Sequence, residues 1–190
     1  MPSWIEFRLA VQGLLRLARL NPDFLRFFDL SSGGALRSFW IALPYYPYYL
    51  LQIWPIHSNP AIPDMTRYLV TMSVAYFYLW LLPPCILTWV APFIGRRDEM
   101  PGCIAVYNWM TVLWIAVSWP VQVLVLSGAP SNMIGIVNDV VILGSLVWET
   151  LMLMRALRLM LWQAGLAAIA DYFVMQRIVM PLFYLAGAGS

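Results

Sequence analysis

The stretch from Tyr68 to Ile94 carries no Asp, Glu, Lys, Arg or His. An α-helix rises about 1.5 Å per residue, so roughly 20 apolar residues cross the hydrocarbon core of a bilayer. This stretch is longer than that minimum, which leaves length for tilt or for a kink at Pro83-Pro84. It therefore predicts a membrane-spanning helix, and with it a membrane protein.

The composition agrees with a chain whose surface mostly faces lipid. Of its 190 residues, 62% are hydrophobic and 11% are charged, whereas a soluble domain is about 25% charged. A net charge of +2 is too small to indicate nucleic acid as a partner. Cys85 and Cys103 belong to neither a CxxC motif nor a Cys/His cluster, so we expect no metal and no cofactor.

The apolar runs predict an all-α fold, a polytopic membrane bundle of about five transmembrane helices preceded by an amphipathic helix on the cytoplasmic face. Residues 1–34 form the N-terminal interfacial segment, and residues 35–190 form the transmembrane domain. The predicted spans are 35–54, 68–94, 103–126, 133–154 and 165–185. After the fourth span, residues 155–162 are expected to continue along the membrane surface.

The arginines predict the orientation. All eleven basic residues are Arg, and they concentrate before the first span, between the second and third, and after the fourth. Connections on the cytoplasmic side of a membrane carry an excess of Lys and Arg. The N-terminus is therefore predicted in the cytoplasm and the C-terminus outside.

The first helix is predicted from a capping box, because Ser3 and Glu6 have the S-x-x-E spacing that satisfies free amides at a helix start. Its basic side carries Arg8, Arg16 and Arg19 with Gln12. The opposing side carries Trp4, Phe7, Val11, Leu14, Leu15 and Ala18. A basic stripe beside a Trp/Leu face is typical of a helix that lies on a membrane. Packing on the protein's own inner surface is the alternative.

Intramembrane polar residues are candidate functional sites because their burial in lipid is costly. The candidates are Glu149 in span four, Asp171 and Arg177 in span five, and Asn108 in span three. Glu149 has no basic residue at i+3 or i+4, so Arg177 is its expected partner, and Asp171 is expected to meet Arg155 or Arg158. Either these pairs are structural, or they mark a polar path or ligand site.

The second candidate is the motif Pro44-Tyr45-Tyr46-Pro47-Tyr48-Tyr49, in the middle of span one. Each proline removes an amide and collides with the carbonyl group four residues earlier, so a kink is expected here. The freed carbonyls and the phenols could line a wet cavity. Alternatively, the tyrosines bond each other and hold a packed, kinked helix.

No enzyme motif of the GxSxG, HExxH, GxxxxGK[ST] or GxGxxG type occurs in the sequence, and we expect no enzyme. A lipid-modifying enzyme would need an acidic cluster at one interface that the sequence lacks. GxxxG is also missing, although Ala164 and Ala168 offer a small-residue face for helix contact.

The segment Asn21-Pro22 with Phe24, the Ser/Gly corner that follows, the five predicted spans and a short outer tail resemble the Yip-type five-span membrane proteins. Tyr107-Asn108-Trp109 is similar to a pattern of the uncharacterised bacterial relatives of that family. The resemblance implies a membrane-embedded adaptor or organiser. The charges predicted inside span five depart from it.

Two functions follow as hypotheses. In the first, the chain is an organiser or accessory subunit of a membrane complex, with the bilayer and other membrane subunits, or a second copy, as partners. In the second, it is a small transporter or channel-like subunit with a polar path near Glu149, Asp171 and Arg177. A cavity that reaches Glu149 or Arg177 would favour the second.

Overall fold

A computed structural model describes residues 1–57 and 65–185, and all regular structure in these ranges is helical. These ranges contain seven α-helices and three short 3₁₀ turns. The α-helices are α1 (Trp4–Ala18), α2 (Ser32–Ser38), α3 (Ala42–His57), α4 (Met65–Val90), α5 (Met100–Leu126), α6 (Ser131–Ala156) and α7 (Leu161–Leu185). The 3₁₀ turns are Pro22–Phe27, Phe39–Ile41 and Arg97–Glu99.

Three helices in the described ranges are long and apolar enough to cross a membrane: Met65–Val90, Arg97–Leu126 (which includes the 3₁₀ turn before α5) and Ser131–Ala156. They correspond to predicted spans two, three and four. The all-helical fold is therefore confirmed, and these three helices support the membrane class. The first and fifth predicted spans, which correspond to α3 and α7, stay predictions.

The first predicted span, 35–54, is not one helix. It is divided into α2, the 3₁₀ turn Phe39–Ile41 and α3, so the expected kink lies upstream of the proline-tyrosine motif. Pro44 falls in the first turn of α3, where a missing amide costs little. Pro44 has no backbone N–H group, so it cannot donate the helical hydrogen bond to the Trp40 carbonyl group. The 3₁₀ turn Phe39–Ile41 forms at this point instead.

The beginning of α1 agrees with the predicted cap, because the Ser3 hydroxyl accepts a hydrogen bond from the Glu6 amide at 3.1 Å. Only Leu14 of the predicted apolar face is buried, which disfavours the alternative that this face packs on the protein's inner surface, and the position on the membrane stays a prediction. The buried residues of α1 are Ala10, Gly13, Leu14 and Leu17, whereas Trp4 is 71% exposed and Leu15 51% exposed. Gly13 allows close approach of Phe28, because an added Cβ at Gly13 would overlap the Phe28 ring.

The main core joins the N-terminal segment to one end of the helix bundle. Its fully buried members include Leu17, Phe24, Val106, Met152 and Leu157. Ala164 and Ala168 of α7 are also fully buried, which confirms the small-residue contact predicted for these two residues.

The segment after α6 is a turn between α6 and α7, so the predicted extension over residues 155–162 is wrong. Arg158 adopts a positive φ of 51°, and the Leu159 amide donates to the Met154 carbonyl at 3.1 Å. The turn makes α6 and α7 an antiparallel pair, which brings the acidic residues of the two helices together.

Candidate functional site

A cavity of about 500 Å³ lies among α5, α6 and α7, with one ring each from α3 and α4. Its aromatic lining residues are Tyr45, Trp80, Tyr107, Trp114 and Tyr172. Its polar lining residues are Asn108, Thr111, Asn138, Ser145, Glu149, Asp171 and Gln176. A volume of this size falls in the range of small-molecule sites, which is roughly 300–1,000 Å³.

One stripe of α6 forms a long wall of the cavity. Asn138, Ile142, Ser145 and Glu149 all line it, and their spacing of three and four residues places them on one helix face. At about 1.5 Å per residue, the stripe from Asn138 to Glu149 extends roughly 16 Å along the helix axis. Exposed Asn138 marks one end and buried Glu149 the other.

The cavity contains a pair of carboxyl groups. Glu149 is 9% exposed, and its carboxyl group lies within hydrogen-bonding reach of that of Asp171. The Tyr107 hydroxyl donates a second hydrogen bond to Asp171 Oδ2 at 2.9 Å. A hydrogen bond between two carboxyl groups requires a proton between them, because two ionised carboxylates at this distance repel each other.

The predicted pairing of Glu149 with Arg177 is wrong. Arg177 is exposed and forms no ion pair within the described part of the chain. Six helical positions separate it from Asp171, which turns the two side chains about 120° apart around α7. The Asp171 carboxyl bonds Tyr107 and Glu149 instead of an arginine.

The two other arginines expected near Asp171 also lie elsewhere. Arg158 Nε is 3.7 Å from Glu99 Oε1, and Arg155 is exposed. Among the described residues, the carboxyl pair therefore has no basic partner.

Asn108 joins the wall of the cavity to the N-terminal segment. It is 1% exposed, and its Nδ2 donates to Ser38 Oγ at 2.9 Å. Ser38 Oγ in turn donates to the Ala35 carbonyl at 2.7 Å. Asn108 thus fixes α2 to α5 beside the cavity.

The proline-tyrosine motif mostly supports packing. The hydroxyl groups of Tyr46 and Tyr48 share hydrogen bonds of 2.7 Å with Ser73 and Ser118, respectively. The Tyr49 hydroxyl donates to the Met72 carbonyl at 3.0 Å. Tyr45 differs from the others because it also lines the cavity. Pro44 and Pro47 are exposed and lie outside the cavity wall.

The predicted membrane-surface residues share one property: all are exposed. They are Trp4, Arg8, Arg16 and Arg19. The guanidinium group of Arg16 lies 4.6 Å above the ring of Phe27.

Sequence reasoning missed Tyr107 as a site residue, as well as Trp80, Trp114 and Gln176. A helical period shows which residues share a face, but it does not show which faces meet. The one available signal was that Asp171 and Tyr172 share the cavity face of α7 with Met175 and Gln176.

The site does not resemble a metal centre, because the described residues contain no group of three or more His, Cys, Asp or Glu side chains able to hold an ion. Comparisons with protein-family models, curated proteins and solved structures found no match. The resemblance to Yip-type proteins therefore stays a prediction.

Proposed function

We propose that this chain is a small membrane transport protein, or a transport subunit, in which the Glu149–Asp171 pair binds and releases a proton during transport. The observation that carries the proposal is the cavity of about 500 Å³ that reaches both carboxyl groups. A carboxyl pair without a basic partner is costly in a membrane interior. A structural role alone would be served as well by apolar side chains, which often stabilise an interior more than buried charges do.

Proton flux in proteoliposomes tests the proposal. Vesicles that hold a pH-sensitive dye and an acidic interior would receive tetraethylammonium, benzenesulfonate or glucose from outside. We expect at least one of these solutes to accelerate proton efflux through the wild-type chain. Flux that stays at the level of protein-free vesicles, with all three solutes, would contradict the proposal.

Two variants of α6 make the test specific. Glu149→Gln removes the acid at nearly constant volume and should abolish the solute-dependent flux. Asp139→Asn makes the same chemical change on the same helix at an exposed position outside the cavity wall and should leave the flux unchanged. Circular dichroism and size-exclusion chromatography in detergent verify that both variants fold.

We propose the orientation predicted from the arginines, with the N-terminus in the cytoplasm of a bacterial inner membrane and five spans that include α3 and α7. A contact between two basic connections supports it, because Arg96 Nη2 lies 3.5 Å from the Arg158 carbonyl oxygen. Those connections therefore share one end of the bundle. The exposed Trp4 and the arginines of α1 support an interfacial position at that end.

A non-enzymatic organiser or accessory subunit, as in the Yip-type resemblance, is the second candidate. It is supported by the outer face of α6, where Ile136, Val140, Leu143 and Val147 are between 51% and 64% exposed. Such a face fits lipid or a partner helix. Crosslinking in the native membrane tests this candidate, and recovery of a lone monomer would count against it.

A further inference from the structure

We infer that the cavity takes a monovalent organic cation, such as a quaternary ammonium or phosphonium ion, in exchange for one proton of the Glu149–Asp171 pair. This inference rests on the proposed transport function and names its class of substrate. It is carried by the presence, in one cavity, of an acidic pair and several aromatic rings.

The charge of the site selects a cation. Among the described residues, the cavity wall contains two carboxyl groups and no Lys, Arg or His. The other ionisable groups that face the pair are phenols and a thiol, which are neutral near pH 7. They are Tyr107 and Cys103 from α5, and Tyr45 and Tyr172 in the cavity wall. An anion would meet only negative or neutral groups there.

The aromatic rings select an organic cation over a hard metal ion. Ca²⁺ needs six to eight oxygen ligands, and Mg²⁺ needs a near-octahedral set. The same wall instead combines the two acids with Trp80 and Trp114. Substituted ammonium ions bind to the faces of aromatic rings within about 6 Å of the ring centre, and their alkyl or aryl groups fit an apolar wall.

Charge balance sets the stoichiometry. The pair is neutral when it carries two protons, and it is also neutral when it carries one shared proton and one monovalent cation. Both loaded states avoid a net charge in the membrane interior. Entry of one cation therefore releases one proton, and the exchange moves no net charge across the bilayer.

Binding to the full chain in detergent tests the inference. The probe is tetraphenylphosphonium, and tetraphenylborate is the control of equal size and opposite charge. Tryptophan fluorescence would follow binding, and a weakly buffered medium would report the released proton. We expect tetraphenylphosphonium to bind, one proton to appear per cation bound, and affinity to rise about tenfold per pH unit where the exchange operates.

Two variants separate charge from ring contact. Glu149→Gln should abolish proton release and weaken cation binding by about tenfold or more. Trp114→Leu, at a position that is already 38% exposed, should weaken cation binding while each bound cation still releases one proton. Asp139→Asn should match the wild type in both measurements.

The outcomes distinguish this inference from the proposed function. Equal binding of tetraphenylphosphonium and tetraphenylborate, or cation binding without proton release, would overturn the inference. If benzenesulfonate or glucose alone drives proton flux in vesicles, the transport function survives and the cation inference fails. If no solute drives flux and no cation binds, both fail.

Discussion

Two regions of the molecule hold carboxyl groups away from water, and they do so with opposite chemistry. At the N-terminal end, the half-buried Arg37 pairs with two acids: its Nε is 2.9 Å from Glu6 Oε2, and its Nη2 contacts Asp29. In the α6–α7 pair, Glu149 meets a second acid instead of a base. The first arrangement ties α1 to α2. The second provides a place for a proton and an added positive charge.

The comparison shows how a structural acid differs from a candidate functional one. Glu6 faces the guanidinium group of Arg37, so its charge is already balanced. The charge of Glu149 is balanced only when a proton or a ligand is present. The four predictions that follow, given from the largest expected effect to the smallest, test this difference.

Substitution of one acid from each region, Glu149 and Glu6, by its amide tests the comparison most strongly. We expect Glu149→Gln to abolish proton-linked transport while the thermal stability stays close to that of the wild type, because one amide–carboxyl hydrogen bond can replace the carboxyl pair. Glu6→Gln should leave transport intact and lower stability, because Arg37 loses a charged partner. Flux and melting temperature in detergent measure both effects. If Glu149→Gln lowered only the melting temperature and Glu6→Gln abolished transport, the roles given to the two regions would be wrong.

Asn108 links the two regions, so its loss should affect both. Asn108→Ala removes the hydrogen bond to Ser38 and leaves a small gap beside the cavity. We expect a loss of about 1–3 kcal/mol in the free energy of unfolding, typical of a buried polar group that loses its partner. Transport should also slow. Unchanged denaturant unfolding in detergent would show that this bond does not hold α2 to α5.

Arg37→Met should lower the melting temperature without removing proton flux, because it leaves Glu6 and Asp29 without their shared base. Arg26→Met is a matched control. Arg26 pairs with Asp23 at 3.5 Å on the surface, where an ion pair contributes little. Equal melting temperatures for the two variants would remove the structural role given to Arg37.

The smallest effect concerns acid stability. Hydrogen bonds from Ser31, followed by contact with Arg37, hold the pKa of Asp29 below its usual value. A folded-state pKa below the unfolded one adds stability above pH ~4, and this contribution is lost as the pH falls through the folded pKa. Melting temperatures between pH 7 and pH 3 should therefore fall less steeply for Asp29→Asn than for the wild type. Parallel curves would contradict this.

The sequence predicted the long helices well because a run without charges has one stable place in a bilayer. Residues 68–94 and 103–126 correspond to Met65–Val90 and Met100–Leu126. Lateral packing could not be predicted in the same way. Opposite charges favoured Arg177 as the partner of Glu149, whereas the period of α7 turns Arg177 away from the cavity and Asp171 towards it.

The packing of the first helix could not be predicted for a related physical reason. Its buried residues are Ala10, Gly13, Leu14 and Leu17, and Gly13 lies against Phe28, because a residue without a Cβ allows close approach. Large apolar residues at a membrane surface need no protein contact, so size alone does not identify a buried face.

The central claim is that the Glu149–Asp171 pair is protonated at neutral pH, and infrared spectroscopy of the full chain tests it most directly. We predict a C=O stretching band of a protonated carboxylic acid at pH 7 that disappears in Glu149→Gln and persists in Asp139→Asn. A wild-type spectrum that contains carboxylate bands alone would contradict the account.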